Sequence, residues 1–207
     1  MNDLKLASFK DLIKNRRSVR SFTKESVDVH LIEEVMEAVK FSPTPTNRQC
    51  FKFIGVSDPL MIEEIRQEVL LSTEKIASNL DEERSKSFRE YAQWFSFFNK
   101  APIVLFAFFR FFSSRLPTSE KKGASIEGVA ELQAFGGAIH GLLLGLEAVG
   151  LSACWMSGPL VAEEKILSKL KIERPWRLGA VIPVGYTDSK PAVPKKPEFS
   201  AIFQWSE

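Results

Sequence analysis

Residues 15–22, NRRSVRSF, place three arginines and two serines in eight positions. A guanidinium presents a planar fork of donors, which suits a phosphate met through two parallel hydrogen bonds. Arg16, Arg17, Ser18 and Arg20 are therefore candidate anion ligands. A second polar group lies in SPTPTNRQ, residues 42–49, and comprises Pro43, Thr44, Thr46, Asn47 and Gln49. A side-chain amide carries donor and acceptor together, so Asn47 and Gln49 can read a heterocycle edge that bears both. The third is the turn Trp155, Met156, Ser157 and Gly158. Backbone N–H groups there can approach a flat ring closely, helped by the glycine. Phosphate, polar ring edge and flat face together describe a flavin mononucleotide. The other reading of Arg17 and of the tail lysines is a solvated surface.

Other chemistries fit the chain poorly. GGAIHG has the wrong spacing for a dinucleotide-binding fingerprint and falls inside a helical pattern. There is no phosphate-binding loop motif and no GxSxG elbow. The only histidines are His30 and His140, and the only cysteines are Cys50 and Cys154. Cys154 with His140 would make a conceivable thiol–base pair, but single residues of this kind on apolar elements are more often buried side chains. None of the four comes paired at a metal-ligand spacing. An enzyme built from this chain therefore needs a cofactor to carry its chemistry.

The elements that must hold these residues follow from periodicity. The chain has 207 residues, 44% of them hydrophobic, which suits one compact domain with a sizeable core. The net charge of +2 is far too small to imply nucleic-acid binding. The start lacks the apolar core of a secretory signal, and the thiols form no disulfide framework, so a cytoplasmic protein is expected. APIVLFAFFRFF is too short for a membrane helix and reads as a buried strand, so no membrane partner is expected.

Ser8 and Asp11 suggest a capping box opening a first helix. Asp28 suggests the N-cap of a second, with Leu31, Val35, Ala38 and Val39 as its stripe. Residues 50–56 read as a strand, and Ile62, Ile65 and Val69 mark a short helix after it. Phe88, Tyr91, Phe95 and Phe98 fall on one face of a helix over 82–99, widened by Trp94 and Phe97. That face reads as core, or as a lid over an aromatic ligand, or as a subunit contact. A strand over 101–109 is followed by a polar loop with Pro117, Lys121, Lys122 and Gly123.

A long apolar helix then runs over 134–150, with four internal glycines that imply close packing, and Gly150 caps it. A short strand and turn, a helix at Ile166, Leu167 and Leu170, and a strand over 178–186 complete the order. The result is a mixed α+β layer architecture. From about residue 187 a proline-punctuated arm runs to 207 and ends in FSAIFQW, which must pack somewhere.

In order along almost the whole chain, these segments resemble the FMN-dependent nitroreductase family. RRSVRSF is similar to its N-terminal flavin motif, and SPTPTNRQCFKF to its loop leading into a strand. APIVLFAFF resembles its central strand, IHGLLLGLEAVGLSACWMSG its buried helix and following turn, and GAVIPVGY with the lysine–proline tail its last strand and arm. The resemblance implies a mainly antiparallel sheet flanked by helices, in a homodimer with two FMN sites at the interface. The glycine-rich helix would form much of that interface and the arm would wrap the partner.

It further implies that Arg16 meets the phosphate, that Arg17 and Ser18 flank the ribityl chain, and that Arg20 sits near N1 and the C2 carbonyl. Thr44, Asn47 and Gln49 would reach the flavin from the other subunit, and the Ser157 N–H would approach N5. Lys195 or Lys196 would be a second phosphate ligand. The implied reaction is hydride transfer from NADH or NADPH through flavin N5 to a nitroaromatic, quinone or other electron-poor ring. The alternatives are another flavin reaction on the same fold (dehalogenation, ring dehydrogenation or flavin reduction) or a non-catalytic flavin-binding protein. Cys50, Phe51, Ala134, His140 and Gly141 depart from the family pattern and bear on the substrate rather than on flavin binding.

Overall fold

The computed structural model describes residues 2–112 and 128–206. The polar loop expected around Pro117, Lys121, Lys122 and Gly123 lies outside them. The elements run α1 (Asn2–Asn15), α2 (Val29–Val39), β1 (Phe51–Val56), α3 (Pro59–Ala77), α4 (Glu82–Ala92), β2 (Ile103–Phe109), α5 (Val129–Ala148), β3 (Ser152–Ala153), α6 (Glu163–Lys169) and β4 (Arg177–Gly185). The strands pair antiparallel in the order β1-β2-β4-β3. This is the mixed, antiparallel, helix-flanked sheet that the sequence implied.

Strand β2 is buried along its whole length because it lies inside the sheet with helices on both faces. Its side chains alternate. Ile103, Leu105, Ala107 and Phe109 enter a core shared with α2 and α5. Val104, Phe106 and Phe108 enter a second core beneath α3 and α6. Opposite, β4 follows the same rule until the register slips between Ala107/Ala180 and Phe108/Leu178. Gly179 is the extra residue of this bulge, and a Cβ there would sit 2.4 Å from the Phe135 ring.

Aspartates set three helix starts. Asp28, Asp58 and Asp81 each accept a backbone N–H of the first turn at 3.0 Å, from His30, Leu60 and Arg84. The first helix departs from expectation: it begins at Asn2, so Ser8 lies inside it and its hydroxyl donates to the Leu4 carbonyl rather than capping. Helix α3 is 19 residues long rather than short. Helix α5 opens at Val129, earlier than the apolar pattern suggests.

Helix α5 has the length and apolarity to cross a membrane, but Phe135, Ile139, Leu142 and Leu146 are packed into the core. Its glycines do not all serve one contact. A Cβ on Gly145 would lie 2.6 Å from Val35, so this glycine seats α5 on α2 of the same chain, whereas among the described residues nothing lies within 4 Å of a Cβ on Gly137. At its end Gly150 takes φ +79° and the Leu151 N–H closes onto the Leu146 carbonyl at 2.8 Å. That cap turns the chain directly into β3.

The aromatic helix expected over 82–99 stops at Ala92 and continues as two 3-10 turns, Gln93–Phe95 and Phe97–Lys100. The break separates its aromatics. Phe95, Phe97 and Phe98 are buried in the second core, while Tyr91 and Trp94 remain exposed.

Candidate functional site

Two of the three polar segments meet in space. Val19 is fully buried and its N–H donates to the Ala153 carbonyl at 3.0 Å, as Ser18 pairs with Ala153 in a parallel bridge. Extended backbone alternates its side chains, so the buried Val19 leaves its neighbours Ser18 and Arg20 exposed. The same logic holds three residues further along the other segment. Met156 is buried and exchanges two 3.0 Å hydrogen bonds with Val181, which leaves Trp155 and Ser157 exposed.

Between them lies a cleft of about 420 Å³, lined by Arg20, by Cys154 to Gly158 and by the aromatic segment that carries Tyr91, Trp94 and Phe95. The turn is held rigidly. A Cβ on Gly158 would stand 2.1 Å from the Phe95 ring, so only glycine lets the backbone lie against that ring. Pro159 follows and opens the 3-10 turn Gly158–Ala162. Among the described residues no acceptor takes the Ser157 N–H.

The guanidiniums of this region lack the carboxylate partners that several other arginines have. Arg66, Arg89, Arg174 and Arg177 all pair with glutamates. Among the described residues Arg16 and Arg20 meet no carboxylate. The Nε of Arg17 is buried with no partner among the described residues, while its terminal nitrogen donates to the Lys14 carbonyl. Burial raises the Cys154 thiol above its ordinary range, and Arg20 and Arg16 offset this in part. Burial is the larger effect, and a thiol that it keeps protonated is a poor nucleophile. His140 is exposed on α5, and no hydrogen bond joins it to Cys154, so the thiol–base pair is not assembled.

The third segment stands apart. Pro43, Thr44, Asn47 and Gln49 line a separate hollow of about 580 Å³ with Lys40, Phe41 and Ser42. Thr46, Asn47 and Gln49 all have positive φ, of 50°, 57° and 53°. Left-handed backbone at non-glycine residues costs about 1–3 kcal/mol each, and Thr46 is β-branched as well. The loop holds this shape through local bonds. Thr44 Oγ accepts the Gln49 N–H at 3.2 Å, and Gln49 Nε2 donates to Asn47 Oδ1 at 2.7 Å. Both amides remain exposed.

The arm also leaves the site. Lys190 ties its root to Glu147 at 2.7 Å, and Lys195 and Lys196 lie exposed beyond. Phe199, Phe203 and Trp205 stack on one another while facing solvent, Trp205 at 85% exposure. Tyr91 and Trp94 are cleft residues that the sequence showed only as an aromatic face. Their i, i+3 spacing was legible, but the helix break that turns them outward was not.

This arrangement fits a phosphorylated flat ring: unpaired guanidiniums, an orphaned buried Nε, and a backbone turn with a free N–H beside aromatic walls. Comparison with known proteins bears on it. The family model described as Nitroreductase family matches residues 13–186. An iodotyrosine deiodinase of Haliscomenobacter hydrossis is 25% identical over 203 residues, spanning 92% of this chain and 84% of its own length. The crystal structure of a BluB-like flavoprotein from Clostridium difficile 630 superposes with a TM-score of 0.86 at 21% identity, covering 96% of this chain and 99% of its own. That of the FMN-dependent nitroreductase NfnB from Mycobacterium smegmatis, in complex with NADPH, has a TM-score of 0.75 at 17% identity, covering 98% and 99%.

Proposed function

The chain belongs to the nitroreductase family, and on that premise we propose that it is an FMN-dependent oxidoreductase, carrying reducing equivalents from NADH or NADPH to a nitroaromatic, quinone or other electron-poor ring. The observation that carries this reading is the docking of the arginine segment onto Ala153, which sets Arg20 and the Ser157–Gly158 turn around one cleft. When bound, FMN supplies the hydride chemistry at its N5. The chain's residues bind and tune it. Arg16 grips the phosphate, with Arg17 and Ser18 along the ribityl chain. Arg20 holds a fixed positive charge beside the pyrimidine edge, where electron density rises on reduction. The Ser157 N–H donates toward N5, and Trp155, Met156 and Gly158 shape the floor.

The working unit is a homodimer of one domain plus its arm. Pro43, Thr44, Thr46, Asn47 and Gln49 complete the site from the second copy, and Lys195 or Lys196 adds a cation to the phosphate. Two features support this: the 43–49 hollow is separate from the cleft, and the arm exposes Phe199, Ile202 and Trp205. Reduced thiols and a small net charge fit a cytoplasmic enzyme without nucleic-acid or membrane partners.

The test is the absorption spectrum of the purified protein. A flavin band is expected, bleached anaerobically by NADH or NADPH and restored by a nitroaromatic. Protein that stays colourless in excess FMN refutes the proposal. The deiodinase relative favours a second reading, reductive dehalogenation. Iodide release from an iodinated phenol, faster than nitroaromatic turnover, would select it.

A further inference from the structure

At one end of the sheet, positive charge gathers on aromatic rings. Lys52 pairs with Phe108, and Phe108 with Leu178, so the three share one face. Phe108 and Leu178 are buried in the second core. The ladder runs on past β2, where the Arg110 N–H donates to the Cys50 carbonyl at 2.9 Å. Two residues beyond Phe108 and Leu178, the same face therefore carries Arg110 and Trp176. The Arg110 guanidinium stands 4.7 Å from the Trp176 ring centroid and 4.8 Å from that of Phe112. Arg48 lies 4.8 Å from the same Phe112 ring, and the Lys52 ammonium 5.9 Å from Trp176.

These contacts hold the three cations without neutralising them. Among the described residues none of the three meets a carboxylate, and the buried Nε of Arg110 has no partner. Acids are present at this end of the sheet but are directed elsewhere: Glu163 and Glu164 pair with Arg174 and Arg177, which flank Trp176 in sequence. Like charges gathered in this way repel, and a multivalent anion between them replaces repulsion with attraction. A phosphate monoester fits that role, because its dianion presents three acceptor oxygens to guanidinium forks and an ammonium.

We propose that Arg48, Lys52 and Arg110 bind a phosphate monoester dianion. The site shares no residue with the proposed flavin site and stands independently of that reading. Two sources carry the group: the adenosine 2′-phosphate by which NADPH differs from NADH, and a free phosphorylated metabolite.

The experiment is a calorimetric titration with adenosine 2′-monophosphate and with adenosine, at low ionic strength and about pH 8, above the second phosphate pKa of about 6. The protein is used as purified and freed of excess FMN, which is itself a phosphate monoester. The nucleotide is expected to bind at least about tenfold more tightly than the nucleoside. Lys52→Gln and Arg110→Gln are each expected to weaken the nucleotide by about tenfold and to leave adenosine unchanged. Lys52 is exposed, so its variant decides the matter even where Arg110→Gln fails to fold. Equal affinity for nucleotide and nucleoside, or unchanged nucleotide affinity in Lys52→Gln, overturns the proposal. Oxidised NADP and NAD, which leave an oxidised flavin unreduced, and inorganic phosphate separate the sources. A preference for NADP that Lys52→Gln removes identifies the dinucleotide. Phosphate binding that Lys52→Gln removes, with NADP and NAD held equally, identifies a free metabolite, and both results uphold the site.

Discussion

Segments 16–20 and 155–158 are tied together by main-chain hydrogen bonds to buried strands, whereas loop 43–49 and the arm stand clear of them. The first pair is positioned by the core: Val19 and Met156 are buried, and the residues beside them inherit a fixed direction. The second pair is positioned mostly by local bonds: Thr44, Asn47 and Gln49 bond to one another, and the arm is tied down at its root by Lys190 on Glu147. Such a loop keeps three left-handed residues, and such an arm keeps five large apolar side chains in water: Val193, Phe199, Ile202, Phe203 and Trp205. The difference is what leads us to propose that one chain supplies the floor of the site and a second copy the remainder.

The sharpest way to break this contrast is to remove the arm. Ending the chain at Pro191 is expected to abolish the dimer and weaken FMN binding at least about a hundredfold, since it removes several apolar side chains that would each contribute about 1.5–3 kcal/mol when buried against a second copy. Gel filtration with flavin absorbance checks it, and an intact flavin-loaded dimer would contradict it. Next comes the floor itself. Gly158→Ala forces a Cβ to within 2.1 Å of Phe95 and is expected to cost about 1–3 kcal/mol in urea unfolding. Phe95→Leu in the same chain should relieve part of that cost, a coupling that a double-mutant cycle would reveal.

Arg20→Ala touches function rather than stability. Its side chain is exposed, so unfolding should barely change, while FMN affinity and the rate of flavin reduction fall about tenfold or more. Unchanged affinity and rate would remove its assigned role.

The smallest effect lies behind the cleft wall. Glu63 accepts from Arg66 and Gln67, and from Asn99 in the turn that carries Phe97. Those bonds, Arg66 foremost, hold its carboxyl down at about 2. A depressed carboxylate contributes stability above its ordinary value and loses it as pH falls through the depressed one. Glu63→Gln should therefore lower Tm slightly at pH 7. The gap to the parent chain should begin to close below about pH 4.5 and vanish near pH 2.

What the sequence made legible follows the same division. The all-apolar β2, the Asp28 cap and the Gly150 stop were readable because propensity and packing agree there. The arginine segment and the Ser157 turn could be singled out by residue type, and they came together through strand pairing that no local pattern encodes. The break after Ala92 was hidden because Phe88, Tyr91 and Phe95 keep helical spacing across it. The outward turn of Trp94 follows from how Phe95, Phe97 and Phe98 fill the second core, which is a tertiary fact. Ser8 with Asp11 misled for the converse reason, since capping residues also occur inside helices when the hydroxyl bonds back to a carbonyl.

The central claim, that two copies share each flavin, is tested most directly by sedimentation followed at protein and flavin wavelengths together. The account predicts flavin travelling with a species of twice the 23.4 kDa chain mass, one per chain. Flavin on a species of single-chain mass, or none on either, would contradict it.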